Sequence, residues 1–220
     1  MTTAHGTVDR QTHEQPGLRT LGEVLAHSSG PLLVAGGLSW VATYVVEVLI
    51  GVTLGEEVHA SPELSSSVLV WLWPATFMAA IFFLGAGLLG VGMQVGRRAR
   101  VLAASGGLLA LVACGASLVN LVKLTGVVGE MDASDRLGFL GVIGVLGGSV
   151  VLGVAAIRGR ALSPNVRLTL ALLPLSFVPA IIATIPLEGV APDYVVADLP
   201  FPVVGLVLAV VGLALSRQRD

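Results

Sequence analysis

The sequence predicts an all-α fold, an integral membrane bundle of six transmembrane helices with both termini cytoplasmic. Three observations predict it. The 220 residues are 55% hydrophobic and only 12% charged, where a typical soluble domain is about 25% charged. The apolar residues gather into six runs. The basic residues between those runs fall almost entirely on one side of a membrane that each run crosses. A chain of this size cannot hide so much apolar surface in one aqueous core. The composition therefore excludes an ordinary soluble enzyme, a disordered protein and a nucleic-acid binder.

Residues 1–30 are polar and read as a cytoplasmic leader. Within them Leu18, Leu21, Val24 and Leu25 share a helical face, the pattern of a short interfacial amphipathic helix; a plain flexible leader is the other reading. Residues 31–216 form the transmembrane domain and 217–220 a cytoplasmic tail.

The six runs are Leu32–Leu54, Val68–Val95, Val101–Val122, Leu137–Ile157, Leu168–Leu187 and Phe201–Leu215. A span needs about 20 apolar residues to cross about 30 Å of hydrocarbon, and the first five reach that length. The second is long enough to tilt or bend, with Pro74 near its start. The fifth contains Pro174 and Pro179, which remove backbone donors and predict kinks. The sixth reaches full length if it begins near Val195, which leaves Pro200 and Pro202 in its first turns, where proline costs least; a re-entrant segment is the alternative. The first run is too long for the core of a cleaved signal peptide.

Arg10, Arg19, Arg97, Arg98, Arg100, Arg158, Arg160, Arg167, Arg217 and Arg219 all fall on one side of six crossings, and only Lys123 and Arg136 on the other. The positive-inside rule makes the first side cytoplasmic. The outer loops are acidic, with Glu56, Glu57 and Glu63, then Glu130, Asp132 and Asp135, then Glu188, Asp193 and Asp198. Eleven arginines to one lysine, with abundant Ala, Gly, Val and Leu, suggest a GC-rich, bacterial genome. Cell (cytoplasmic) membrane is the expected location. A formal net charge of −2 recruits no nucleic acid.

Glu47 is the most informative single residue. It lies inside the first run, seven residues before Leu54 and so about 10 Å below the outer end. An acid at that depth costs a few kcal/mol unless paired, protonated or wetted. Gly36, Trp40, Thr43, Glu47 and Gly51 share a face at helical spacing, which should point into the bundle. In the third span Ser117, Asn120 and Lys123 climb one side of the outer half. Thr76 of span 2 and Thr184 of span 5 lie at comparable depth. Glu47, Thr76, Ser117, Asn120, Lys123 and Thr184 are thus a candidate polar site in the outer half of the membrane, and span 3 is expected to supply the partner of Glu47. Read individually, Lys123 snorkels to the interface and Asn120 is helix–helix glue.

In span 4, Gly138, Gly141, Gly144 and Gly148 form a small-residue stripe, a groove for close helix packing. Trp71, Trp73 and Tyr194 fit an outer aromatic belt.

The lone cysteine, Cys114, excludes an intramolecular disulfide and any cysteine-based zinc site. His5, His13, His27 and His59 all lie outside the apolar runs, so no histidine is available in the membrane as a haem ligand or to activate Ser117. No phosphate loop, dinucleotide fingerprint or metal motif is present. No catalytic set, metal site or cofactor is therefore expected.

Three functions remain. The first is a non-catalytic membrane protein that acts by helix packing with itself or a membrane partner. The second is a small-solute or ion transporter or channel with Glu47 as its proton or cation site. The third, an intramembrane enzyme, has the least support, because the spans offer no base–nucleophile pair. The lipid bilayer is the one partner common to all three.

Overall fold

The computed structural model describes residues 16–60, 65–96, 98–124, 134–187, 189–196 and 198–218, and the side chains of all of these except 16–21, 59, 60, 134 and 135. Outside it lie most of the leader, including Arg10, His5 and His13, together with Arg97, Arg219, Glu63, Glu130, Asp132 and Glu188. Leu18, Leu21, Arg19, His59 and Asp135 are described in backbone only.

Among the described residues the chain is helical and contains no strand. The long helices are α1 (Pro16–Leu54), α3 (Val68–Val95), α4 (Arg100–Leu124), α5 (Ser134–Arg158) and α9 (Pro200–Arg217). Shorter ones are α2 (Glu56–Ala60), α6 (Pro164–Ala171), α7 (Phe177–Thr184) and α8 (Asp193–Val196). Five segments are long and apolar enough to cross a membrane, or six if one bent pair counts as a single broken span. The fifth long segment runs from Asp193 to Arg217, so it takes in α8 and α9 together. The chain is thus a helical protein of membrane-spanning character.

The bent pair is the predicted fifth span. Its two halves, Pro164–Ala171 and Leu173–Leu187, meet at 72°. The cause is local. Pro174 has no N–H to give to the carbonyl of Leu170, and its ring crowds that carbonyl. The helix therefore ends at Ala171, passes through a 3-10 turn over Leu173–Ser176 and resumes as α7. Pro179 was expected to kink the span as well. It falls in the first turn of α7, where a missing donor costs little. Pro74 lies inside α3, which runs unbroken from Val68 to Val95.

The leader helix differs from a separate surface helix. From Pro16 it runs straight into span 1, making α1 39 residues long, about 58 Å at the usual rise. Packing explains the continuity. Gly90 of α3 presents no side chain where Leu25 and Ser29 cross it. Gln94 then donates from Nε2 to the Ala26 carbonyl at 3.0 Å and to Ser29 Oγ at 2.7 Å.

α1 packs along both α3 and α9, and α4 packs between α3 and α5. The core between them is apolar, with Leu33, Trp40, Ile81, Leu84, Leu88, Leu152 and Leu208 essentially inaccessible. The α1–α9 seam is set by glycine. A Cβ on Gly212 would stand 2.6 Å from the Gly30 carbonyl, and one on Gly205 would stand 2.8 Å from that of Gly37. Both pairs are seven residues apart, which is two turns, so the two helices meet in a fixed antiparallel register.

The turns at one end are tied together. Arg98 donates to the carbonyls of Gly159 and Arg160, and Gln218 donates from Nε2 to Ser163 Oγ at 2.7 Å. The α3–α4 turn, the α5–α6 turn and the end of α9 therefore share one end of the bundle.

Candidate functional site

The face of α1 that carries Glu47 is buried. Trp40 is 2% exposed, Thr43 5% and Glu47 8%, and Gly36 and Gly51 are buried with them. Polar groups on this face need partners, because an unpaired buried group costs more than a made hydrogen bond returns. Thr43 donates its hydroxyl to the Ser39 carbonyl at 2.9 Å. Tyr44 donates to the carbonyl of Val195 at 2.7 Å.

Beside Glu47 lies a cavity of about 180 Å³, lined by Trp40, Thr43, Tyr44, Glu47, Trp73 and Asp198 and closed by Phe77, Val142 and Phe201. Asp198 is the central finding. It lines the same small cavity as Glu47, and its carboxyl stands close enough to act on the Glu47 carboxyl. The Trp73 indole N–H also faces the Glu47 carboxyl, without closing a hydrogen bond of good geometry. Two aromatic contacts brace the far wall, Trp40 against Phe201 at 5.9 Å and Phe177 edge-on to Phe201 at 5.7 Å.

The α1–α9 register explains why Asp198 arrives here. Gly212 meets Gly30 and Gly205 meets Gly37. One further step of two turns along each strand of the seam brings Asp198 to the level of Tyr44, and Glu47 is the next residue on that face. Gly51 continues the seam, since a Cβ there would run into the ring of Tyr194. The Tyr44–Val195 hydrogen bond holds the segment before α9 at this height.

Asp198, an acid of the last outer loop in the sequence, stands in the turn before α9 and lines the cavity beside Glu47, where a partner from span 3 is the expectation. Asn120 and Lys123 line a second, larger cavity of about 700 Å³ with Trp71, Trp73, Pro74 and Met78. Trp73, Phe77 and Val142 line both cavities and separate them.

The remaining candidates line neither cavity. Ser117 of α4 is buried and donates to the Met78 carbonyl of α3 at 3.1 Å, a direct interhelical bond. Thr76 donates back to the Leu72 and Trp73 carbonyls of its own helix. Thr184 does the same to Ile181 at 2.7 Å. Of the belt aromatics, Trp71 is largely exposed, whereas Trp73 serves as the partition and Tyr194 packs on Gly51.

The α5 glycines face α3 and α4. A Cβ on Gly144 would come within 2.7 Å of the Leu109 carbonyl, and one on Gly141 within 2.9 Å of Ile81. Gly138 and Gly148 leave ordinary contact distances of 3.6 and 3.4 Å. The stripe is thus occupied within the chain.

Chemically, the smaller cavity offers two carboxyls and the hydroxyl oxygens of Thr43 and Tyr44. Among the described residues no group of three His, Cys, Asp or Glu side chains converges. Calcium takes six to eight oxygens; this cavity suits a proton or a small monovalent cation better. No family model matches the sequence, and neither curated proteins nor solved structures show a significant similarity to it.

Proposed function

We propose that this chain is a multi-pass protein of the cell (cytoplasmic) membrane that binds and passes a proton or small cation at Glu47 and Asp198. The observation that carries the reading is that two carboxyls, Glu47 and Asp198, line one small cavity. One embedded acid has a structural explanation, such as a hydrogen bond to a neighbouring helix. Two acids brought together repel unless a proton or cation lies between them, and at membrane depth the cost rises further. Such an arrangement suits a site that loads and unloads positive charge.

The chain crosses the membrane six times in this reading, the bent α6–α7 unit being the fifth crossing, with both termini cytoplasmic. The basic residues gather at the end where Arg98 and Gln218 tie the turns together, which supports that orientation. The carboxyl pair then opens toward the outside. The broken fifth span adds weight, because discontinuous helices are common in transporters. The packing-only function is the second reading. Its sequence support was the α5 stripe, and those glycines meet α3 and α4 of the same chain, which leaves less of the stripe for a partner.

The test is flux in proteoliposomes. Purified protein is reconstituted with an interior pH dye or a sodium or potassium indicator, and a gradient is applied. Wild type should dissipate a proton or monovalent-cation gradient and Glu47→Gln should not. Identical leak rates for wild type, Glu47→Gln and empty vesicles would remove the proposal.

A further inference from the structure

The cavity beside Glu47 is richer in aromatic rings than a proton or a metal ion needs. Two of the chain's three tryptophans, one of its two tyrosines and two of its six phenylalanines line it. α1 supplies Trp40 and Tyr44, α3 supplies Trp73 and Phe77, and α9 supplies Phe201. Four of these rings are held in stacked pairs, Trp73 with Phe77 at 6.1 Å and Trp40 with Phe201 at 5.9 Å. The residues that line the cavity include two acids, Glu47 and Asp198, and no base.

We infer that this cavity is an aromatic cage for a small methylated ammonium ion. The inference rests on the reading of Glu47 and Asp198 as a cation site, and it names the class of cation. A proton needs no volume, yet the cavity measures about 180 Å³. An alkali ion that sheds its water needs a shell of oxygens in exchange. Beyond the two carboxyls, the side chains on this wall offer only the hydroxyl oxygens of Thr43 and Tyr44. A methylated ammonium ion is satisfied differently. Its charge is attracted by the faces of aromatic rings, and the carboxyls neutralise it. The size agrees. Drug-sized sites measure about 300–1,000 Å³, whereas a cavity of roughly 150 Å³ takes a single six-carbon ring. A cation of similar bulk therefore fits. The cation does not require an idle acid. A carboxylate has about four acceptor sites, so Glu47 keeps its neighbouring contacts while it faces the ligand.

Calorimetric titration of the whole protein in a maltoside detergent, at constant ionic strength, tests the cage. Choline is the probe. Its control is the uncharged isostere dimethylbutanol, in which carbon replaces the nitrogen. Wild type should bind choline saturably, and roughly tenfold or more tightly than the alcohol. Trp73→Leu should weaken choline binding roughly tenfold, and Trp73→Phe, which keeps a ring, less than about threefold. Glu47→Gln should weaken it roughly tenfold or more. Thermal melting of each variant checks folding. Equal binding of choline and the alcohol by wild type would overturn the inference, and so would a folded Trp73→Leu that binds choline as wild type does. A protein that ignores choline but still passes protons or sodium in a Glu47-dependent way would lose the cage and keep the cation site. Absence of both choline binding and flux would remove both.

Discussion

Gly37 and Gly205 touch backbone to backbone, each standing where the other's side chain would be. That contact and its repeat at Gly30 and Gly212 fix the height of α9 against α1. The height in turn decides that Asp198 reaches Glu47. Site geometry therefore depends on residues two and four turns away.

Gly37→Leu should separate α1 from α9. Overpacking typically costs about 1–3 kcal/mol, and the upper part of that range is expected because the obstacle is backbone. Thermal unfolding in detergent measures it. Gly115→Leu is the control, since nothing lies within 4 Å of a Cβ there. Equal losses for the two variants would show that the seam has no special role.

The Tyr44 hydroxyl ties α1 to the segment before α9 through the Val195 carbonyl. Tyr44→Phe should cost about 0.6–1 kcal/mol, the usual worth of such a bond inside a membrane bundle. It should also lower flux through the site while leaving the protein folded, because Asp198 loses its tether. Unchanged flux at the expected small loss of stability would separate the tether from the site.

Much of this architecture is legible in the sequence, for reasons of scale. A run of more than twenty apolar residues has few alternatives to a membrane-length helix, so α1, α3, α4 and α5 follow from length alone. The break at Pro174 follows from a missing donor. Asp198 is harder to read, because an acid two residues before a proline-started helix looks like ordinary loop charge. The signal that could have found it is spacing. Gly30, Gly37 and Tyr44 step by two turns, and so do Asp198, Gly205 and Gly212, so the two series can zip antiparallel. Asn120 and Lys123 are recognisable as polar residues of α4, but their separation from Glu47 depends on where the Trp73 ring lies. No periodicity encodes that.

Topology is testable by cysteine accessibility. Val190 is 84% exposed, and it lies on the acidic side under six crossings. In a Cys114→Ser background, Val190→Cys should react with an impermeant thiol reagent in intact cells. Ala99→Cys and Asn165→Cys, on the basic side, should react only after the cells are opened. The reverse pattern would invert the protein in the membrane and turn the Glu47 cavity toward the cytoplasm.

The last prediction concerns Glu47 and Asp198 as a unit. If they hold one proton or cation between them, removing either charge removes the site. Glu47→Gln and Asp198→Asn should each lower flux on the order of tenfold or more, and the double variant should be no slower than the worse single one, the non-additivity expected of groups that act together. Stability should not follow. Each amide puts its own N–H where the shared proton or cation lay and removes the need for one, so melting temperatures should hold. A purely structural pair would instead lose stability in each single variant with no change in leak rate. Additive losses of flux would mean that the two carboxyls act at separate points along a path rather than sharing one bound charge.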